Sequence, residues 1–193
     1  MKRPIDFVVG AALLVAIAPA LIALMAAVRA TSPGPAIHWS RRVGKGGRLF
    51  WMPKLRTMLV ETPQVATHQL EAPNDWLTPI GGWLRRTSLD ELPQLWSVVR
   101  GDMSFVGPRP ALFNQADLIQ ARADARIDRI PPGLTGWAQV NGRDELSIAE
   151  KVAFDAEYVG RQGLAFDLRI LLMTVGSVAR REGIREGSSS KAA

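Results

Sequence analysis

The chain has 193 residues, a formal net charge of +6 and a pI near 10.5. That is length for one domain with a proper core, and a cationic excess suited to nucleic acid, an anionic membrane surface or a phosphorylated substrate. There is no cysteine and there are two histidines, His38 and His68, so disulfides, thiolate zinc sites and thiol nucleophiles are excluded and chemistry must rest on carboxylates, hydroxyls, Arg and Lys.

No residue from Phe7 to Val28 is charged. As one helix this run would reach about 33 Å, the thickness of a bilayer core. Pro19 removes a backbone donor and clashes with the carbonyl of Val15. The expectation is two arms of about 18 Å and about 13 Å, each too short for a ~30 Å core but suited to one leaflet. Lys2 and Arg3 precede the run, and Arg29, Arg41, Arg42, Lys45 and Arg48 follow it. The positive-inside preference therefore favours a hairpin that enters and leaves by the cytoplasmic face. A Pro-kinked spanning helix is the alternative on physics alone, and a cleaved signal peptide would need a shorter apolar region.

Thr31 to Pro35 is a turn-rich exit, and Ala36–Trp39 and Leu49–Met52 are two short apolar pieces around the Gly44–Gly47 loop, a hairpin pattern. Pro63 to Asn74 loses periodicity and reads as a mobile loop, after which Trp76 to Val99 mixes turn signals with helical spacing. Asn114 to Arg129 reads as an exposed helix, Pro131 to Gly142 as a structured loop, and Ser147 to Val159 as an amphipathic helix. Leu168 to Val178, with Arg169, Arg180 and Arg181 nearby, is either an interfacial helix or a core helix. Gly187 to Ala193 has little to bury and is expected to be disordered.

Three segments carry candidate chemistry. In Arg85-Arg86-Thr87-Ser88-Leu89-Asp90-Glu91 a helix is expected to begin near Ser88, with two carboxylates in its first turn. A capping box between Ser88 and Glu91 is the structural reading. The functional one is a helix start that attracts phosphate beside carboxylates able to hold magnesium. In Gly101-Asp102-Met103-Ser104-Phe105-Val106-Gly107-Pro108-Arg109-Pro110, a Pro on each side limits the backbone and can aim the Arg109 guanidinium at a phosphate. In Pro132 to Arg143, glycines, the amides of Gln139 and Asn141, and Arg143 can wrap a polar ligand, while Trp137 can equally be a core anchor.

Taken together, the chain resembles the bacterial sugar transferase family, the small monotopic phosphoglycosyl transferases, from about Lys2 to about Glu186. The resemblance rests on Ser32-Pro33-Gly34-Pro35, Arg42-Val43-Gly44, Lys54-Leu55-Arg56-Thr57-Met58, the Asp90-Glu91 segment, the block ending in Pro108-Arg109-Pro110, and Gly136-Trp137-Ala138-Gln139-Val140-Asn141-Gly142-Arg143. It departs at Ala18, where members commonly carry Ser before the helix-breaking Pro. The family implies a re-entrant anchor, residues 1–30, and a catalytic domain, residues 31–186, at the cytoplasmic face of the bacterial inner membrane, ahead of the tail at 187–193.

By the same resemblance Asp90 is the nucleophile and Mg2+ ligand. It attacks a UDP-sugar, expels UMP and forms an aspartyl phosphosugar that undecaprenyl phosphate then resolves, with ping-pong kinetics. Glu91 assists as base or acid. Arg85, Arg109 and Arg143, then Lys54 and Arg56, with Gln139 and Asn141, are the expected substrate-binding residues. The expected fold is α+β and mostly helical, with interfacial amphipathic helices. A catalytically inactive membrane scaffold of the same fold is the competing reading, and no nucleic-acid-binding motif accompanies the charge.

Overall fold

The apolar N-terminal run forms one long helix, α1, Lys2–Thr31, in a computed structural model that describes residues 2–63, 70, 72–142 and 145–180. Helical backbone continues through Pro19, so the two arms expected from the sequence are one continuous element. The helix is long and apolar enough to cross a membrane. Its less exposed residues, Asp6, Gly10, Leu14, Ile17, Leu21, Leu24 and Val28, recur at three- and four-residue spacing and form one seam toward the rest of the chain. Phe7, Val8, Val9, Leu13, Val15 and Ile22 are exposed.

Both ends of α1 are fixed to the same body. At the start, the Lys2 ammonium pairs with Asp167 at 2.8 Å and donates to the Val106 carbonyl and the Tyr158 hydroxyl. Arg3 donates to the carbonyls of Val98 and Val99, and α1 lies against the same two residues at Gly10, where a Cβ would stand 3.4 Å from each side chain, in ordinary contact. At the other end Val28 is fully buried with Ala36, Leu55 and Leu84.

The expected hairpin is present and longer than its apolar pieces. Strands β1, Ile37–Val43, and β2, Leu49–Leu55, pair antiparallel with Ser40 opposite Met52 and Arg42 opposite Phe50. Alternation turns Phe50, Met52 and Lys54 inward and leaves Leu49 and Trp51 exposed. Helix α2, Gly81–Arg86, leads to a 3-10 helix, Leu89–Gln94, then α3, Leu95–Arg100. Gly101, at φ +95°, ends α3 in the left-handed conformation that glycine tolerates.

A second small sheet was not expected. Strands β3, Ser104–Val106, and β4, Gly133–Thr135, run parallel, so the Pro131–Gly142 stretch read as a loop contains a strand and a helical turn, α5, Trp137–Val140. Three-residue strands flanked by Pro and Gly give no alternation to detect. Gly133 is required there, since a Cβ would stand 2.1 Å from the Gly107 nitrogen.

Between β3 and β4 the expected helix at 114–129 is shorter, α4 Ala116–Asp124 followed by a 3-10 turn, Ile127–Arg129, and it buries Leu118 and Ile127. Helices α6, Ile148–Arg161, and α7, Leu164–Arg180, close the fold. Trp137 is a core anchor, packed with Tyr158, Phe166, Ile170 and Val106. Helix α7 has a core-facing side and an exposed apolar side. It buries Phe166 and Ile170, and it exposes Leu164, Leu168, Leu171, Leu172 and Val175 along the other side. The chain is thus α+β and mostly helical. The tail at 187–193 and most of the expected loop at 63–74 lie outside the described residues.

Candidate active site

The Asp90-Glu91 pair sits where the inward face of β2 meets the 3-10 helix. Ser88, which the capping reading required to cap Glu91, instead adopts a left-handed conformation at φ +55° and makes no side-chain cap. The capping box is therefore not formed. The Glu91 carboxylate turns to two cations, Lys54 Nζ at 3.1 Å and Arg109 Nη2 at 2.9 Å. A tertiary charge pair displaces the local cap because two partly buried cations attract a carboxylate more strongly than one hydroxyl does.

Asp90 lies beside it and is 8% exposed. No hydrogen bond or ion pair of the described residues ends on its carboxylate, which is influenced by Lys54, Arg85 and Arg109 through space. Burial pushes its pKa above the ordinary carboxylate value, Glu91 adds to the rise, and the three cations oppose it. Burial likewise pulls Lys54 down, against the attraction of Glu91. Arg42, beside Arg109, is lowered to about 10 by burial first and by that like charge second.

The cations come from separate elements. Lys54 is on β2 and Arg42 on β1, while Arg85 at the end of α2 donates from Nε to the Thr57 hydroxyl at 3.0 Å. Arg109 stands on an extended strap after β3, between two prolines. A positive cradle attracts a polyanion, and carboxylates in such a cradle have the chemistry to serve as nucleophile or metal ligand.

Of the residues singled out in the sequence, Asp90, Glu91, Lys54, Arg85 and Arg109 are brought together. Arg56 stands apart from them in its contacts. Its guanidinium is buried and donates to the carbonyls of Pro35 at 2.6 Å and Ser32 at 2.9 Å, fixing the chain where it leaves α1. Gln139 and Asn141 are also used locally, donating to the carbonyls of Leu134 and Trp137. Arg143 lies outside the described residues. The sequence reading passed over Arg42 as a site residue. Its i, i+2 relation to Ser40 on a strand was the available signal, and its Nε donates to Ser40 Oγ at 2.9 Å.

The resemblance implies a divalent cation. Among the described residues no three His, Asp or Glu side chains gather, but Mg2+ is commonly held by one or two carboxylates, water and the substrate's own phosphates. A buried carboxylate that receives no hydrogen bond from the described residues fits that role, and Asp90 is the residue that would supply it.

The chain is 41% identical over 184 residues to a UDP-glucose:undecaprenyl-phosphate glucose-1-phosphate transferase of Caulobacter vibrioides, covering 92% of this chain and 69% of that protein. It is 38% identical over 198 residues to a UDP-galactose-lipid carrier transferase of Erwinia amylovora, covering 95% of this chain and 41% of the other. It is 34% identical over 197 residues to the exopolysaccharide production protein ExoY of Sinorhizobium fredii, covering 94% and 87%. Against some curated relatives, such as the Erwinia protein, the chain thus spans about two fifths of their length. The family model described as bacterial sugar transferase matches residues 1–181, and the chain belongs to that family.

Proposed function

We propose that this protein is a phosphoglycosyl transferase that moves a sugar-1-phosphate from a UDP-sugar to undecaprenyl phosphate at the cytoplasmic face of the bacterial inner membrane. The observation that carries the reading is the buried Asp90 carboxylate beside Glu91, in a cradle of Lys54, Arg85, Arg109 and Arg42. The relatives' names favour UDP-glucose and UDP-galactose as the first donors to try.

In the first half-reaction an Asp90 oxygen attacks the β-phosphorus. A carboxyl O–P bond forms, the bridging P–O bond breaks, and UMP departs with the electron pair. Lys54, Arg85 and Arg109 offset charge on the diphosphate and on the departing phosphate. Bound Mg2+ would add Lewis-acid neutralisation of those same oxygens. In the second half an oxygen of undecaprenyl phosphate attacks the same phosphorus, the Asp90 ester breaks, and the carboxylate is regenerated. Glu91 takes the residual proton of the lipid phosphate and holds Lys54 and Arg109 in place.

The reaction requires the site to face both a soluble donor and a lipid acceptor. A re-entrant α1 meets that requirement, and the docking of both its ends on one body supports it. A body on one side of a bilayer cannot hold both ends of a spanning helix. The exposed apolar side of α7 suits an interfacial position.

The test is UMP release by purified protein in nanodiscs with Mg2+, undecaprenyl phosphate and a panel of UDP-sugars, for wild type and Asp90→Asn. Release that requires the aspartate is expected, with the variant down by about 10⁴-fold or more. Release of UDP would overturn the mechanism. Silence across the panel from folded protein would favour the inactive scaffold.

A further inference from the structure

Arg109 stands on a strap whose backbone is held by its carbonyls. The Val106 oxygen accepts from Lys2 Nζ and the Tyr158 hydroxyl at 2.7 and 3.1 Å. The Pro108 oxygen accepts from the Gly133 amide at 2.9 Å, and the Ala111 oxygen from the Val43 amide at 3.0 Å. The Pro110 oxygen accepts from Arg42 Nη1 at 3.2 Å, and the Arg109 oxygen from Arg122 Nη1 at 2.6 Å. Pro108 and Pro110 carry no N–H, so between the Gly107 amide, which donates to the Thr135 carbonyl at 2.9 Å, and the Leu112 amide, which donates to Gln115 Oε1 at 2.8 Å, carbonyls hold the strap.

The handle on Arg109 itself is unusual in construction. Arg122, on α4, directs Nε and Nη2 to one oxygen of Asp155, on α6, at 3.0 and 2.6 Å. The Asp155 side chain is 1% exposed and that of Arg122 is 11% exposed. If the pair served only to join α4 to α6, apolar side chains would do it as well or better, because desolvating two charges is costly. A guanidinium braced by a carboxylate does something apolar residues cannot, since its third nitrogen is aimed at a fixed point. That point is the carbonyl of the residue whose side chain reaches Glu91 at 2.9 Å.

We infer that Arg122 and Asp155 are positioning residues for Arg109: Asp155 fixes the Arg122 guanidinium, which fixes the Arg109 backbone and so aims its side chain into the carboxylate site. The kinetic part of the inference rests on the phosphoglycosyl-transfer reading, whereas the structural part does not.

The experiment is a double-variant cycle on the full chain in nanodiscs with Arg109→Ala, Arg122→Lys and the combination, read as kcat/KM for the UDP-sugar. Asp155→Asn and Asp155→Glu serve as companions, and thermal melts confirm folding. Arg122→Lys keeps the charge but loses the fork. It is expected to lower kcat/KM by about 10²-fold and to cost nothing further once Arg109 is alanine. Asp155→Asn should behave like Arg122→Lys, with partial recovery in Asp155→Glu. Losses that multiply in the combination would overturn the inference and leave the transferase reading standing.

Hydrogen exchange of the same variants needs no substrate. Arg122→Lys should speed exchange at the amides that bond the strap, those of Gly107, Gly133 and Val43, while α4 and α6 stay protected. Unchanged protection of the strap, or loss spread evenly over α4 and α6, would overturn the inference even if wild type released no UMP, an outcome that would separately sink the transferase reading.

Discussion

On the proposed mechanism Asp90 must be ionised to attack phosphorus, yet burial and Glu91 both raise its pKa, and Lys54 is the largest influence opposing them. Activity should therefore fall on the acid side at a pH above the ordinary carboxylate range, as pH drops through the raised value. Removing Lys54 removes the main opposing charge, so Lys54→Met should move the acid limb of the kcat/KM profile to higher pH and lower the rate near neutrality by about 10²-fold. An unmoved or lowered limb would show that Lys54 does not face the nucleophile. Ser88, two residues before Asp90, holds a left-handed backbone that costs a non-glycine residue on the order of 1 kcal/mol and a β-branched one more. Ser88→Gly should leave the melting temperature unchanged or raised. Ser88→Val should lower it by several degrees and displace Asp90, with UMP release falling alongside. Equal melting of the two variants would argue against the turn.

Among the elements, the N-terminal turn of α1 is fixed most specifically. Lys2 is the counter-charge to Asp167, whose side chain is 10% exposed and also accepts from the Tyr158 hydroxyl at 2.7 Å. Lys2→Met should destabilise the protein by about 2 kcal/mol, less than a fully buried pair would lose because Lys2 keeps some solvent. Thermal unfolding in detergent would show it, and an unchanged midpoint would mean that the end of α1 is held by Arg3 and packing alone. Legibility also divides at this scale. The pattern Ser-x-x-Glu occurs at Ser147–Glu150 and at Ser88–Glu91. The first forms a capping box at the start of α6. The second does not, because Lys54, from 37 residues upstream, and Arg109, 18 residues downstream, claim the glutamate. Local chemistry is identical in the two, so only the tertiary placement of cations separates them. The hairpin was readable from its two apolar pieces and the glycines between them, and the carboxylates and their cations from separate motifs. The parallel β3–β4 pair and the Arg122–Asp155 brace were not readable, since both depend on partners far apart in sequence with no periodic signal.

At the scale of the whole molecule, the question is which side of a bilayer each end of α1 occupies. Lys2, Arg3 and Asp6 are bonded to residues of α3, β3 and α7, and Val28 is buried against β2 and α2. The intervening residues expose apolar side chains, as a segment dipping into lipid requires. Pro19 supplies no amide to the Val15 carbonyl, and the Ala18 side chain has no hydroxyl to substitute for it, so this is where the helix can bend with least loss. A spanning α1 would have to pull one end away from the body, breaking either the Lys2–Asp167 pair or the Val28 cluster. The absence of native cysteine makes the choice directly measurable. Cysteine introduced singly at Pro4, which is exposed, and at Lys45, beyond the helix, can be labelled with a membrane-impermeant maleimide. Both positions should react in inverted inner-membrane vesicles and neither in intact spheroplasts. Labelling of the Pro4 variant from the outside of spheroplasts would place the helix across the membrane, with its first turn detached from α7, and would require a different explanation for the buried Asp167.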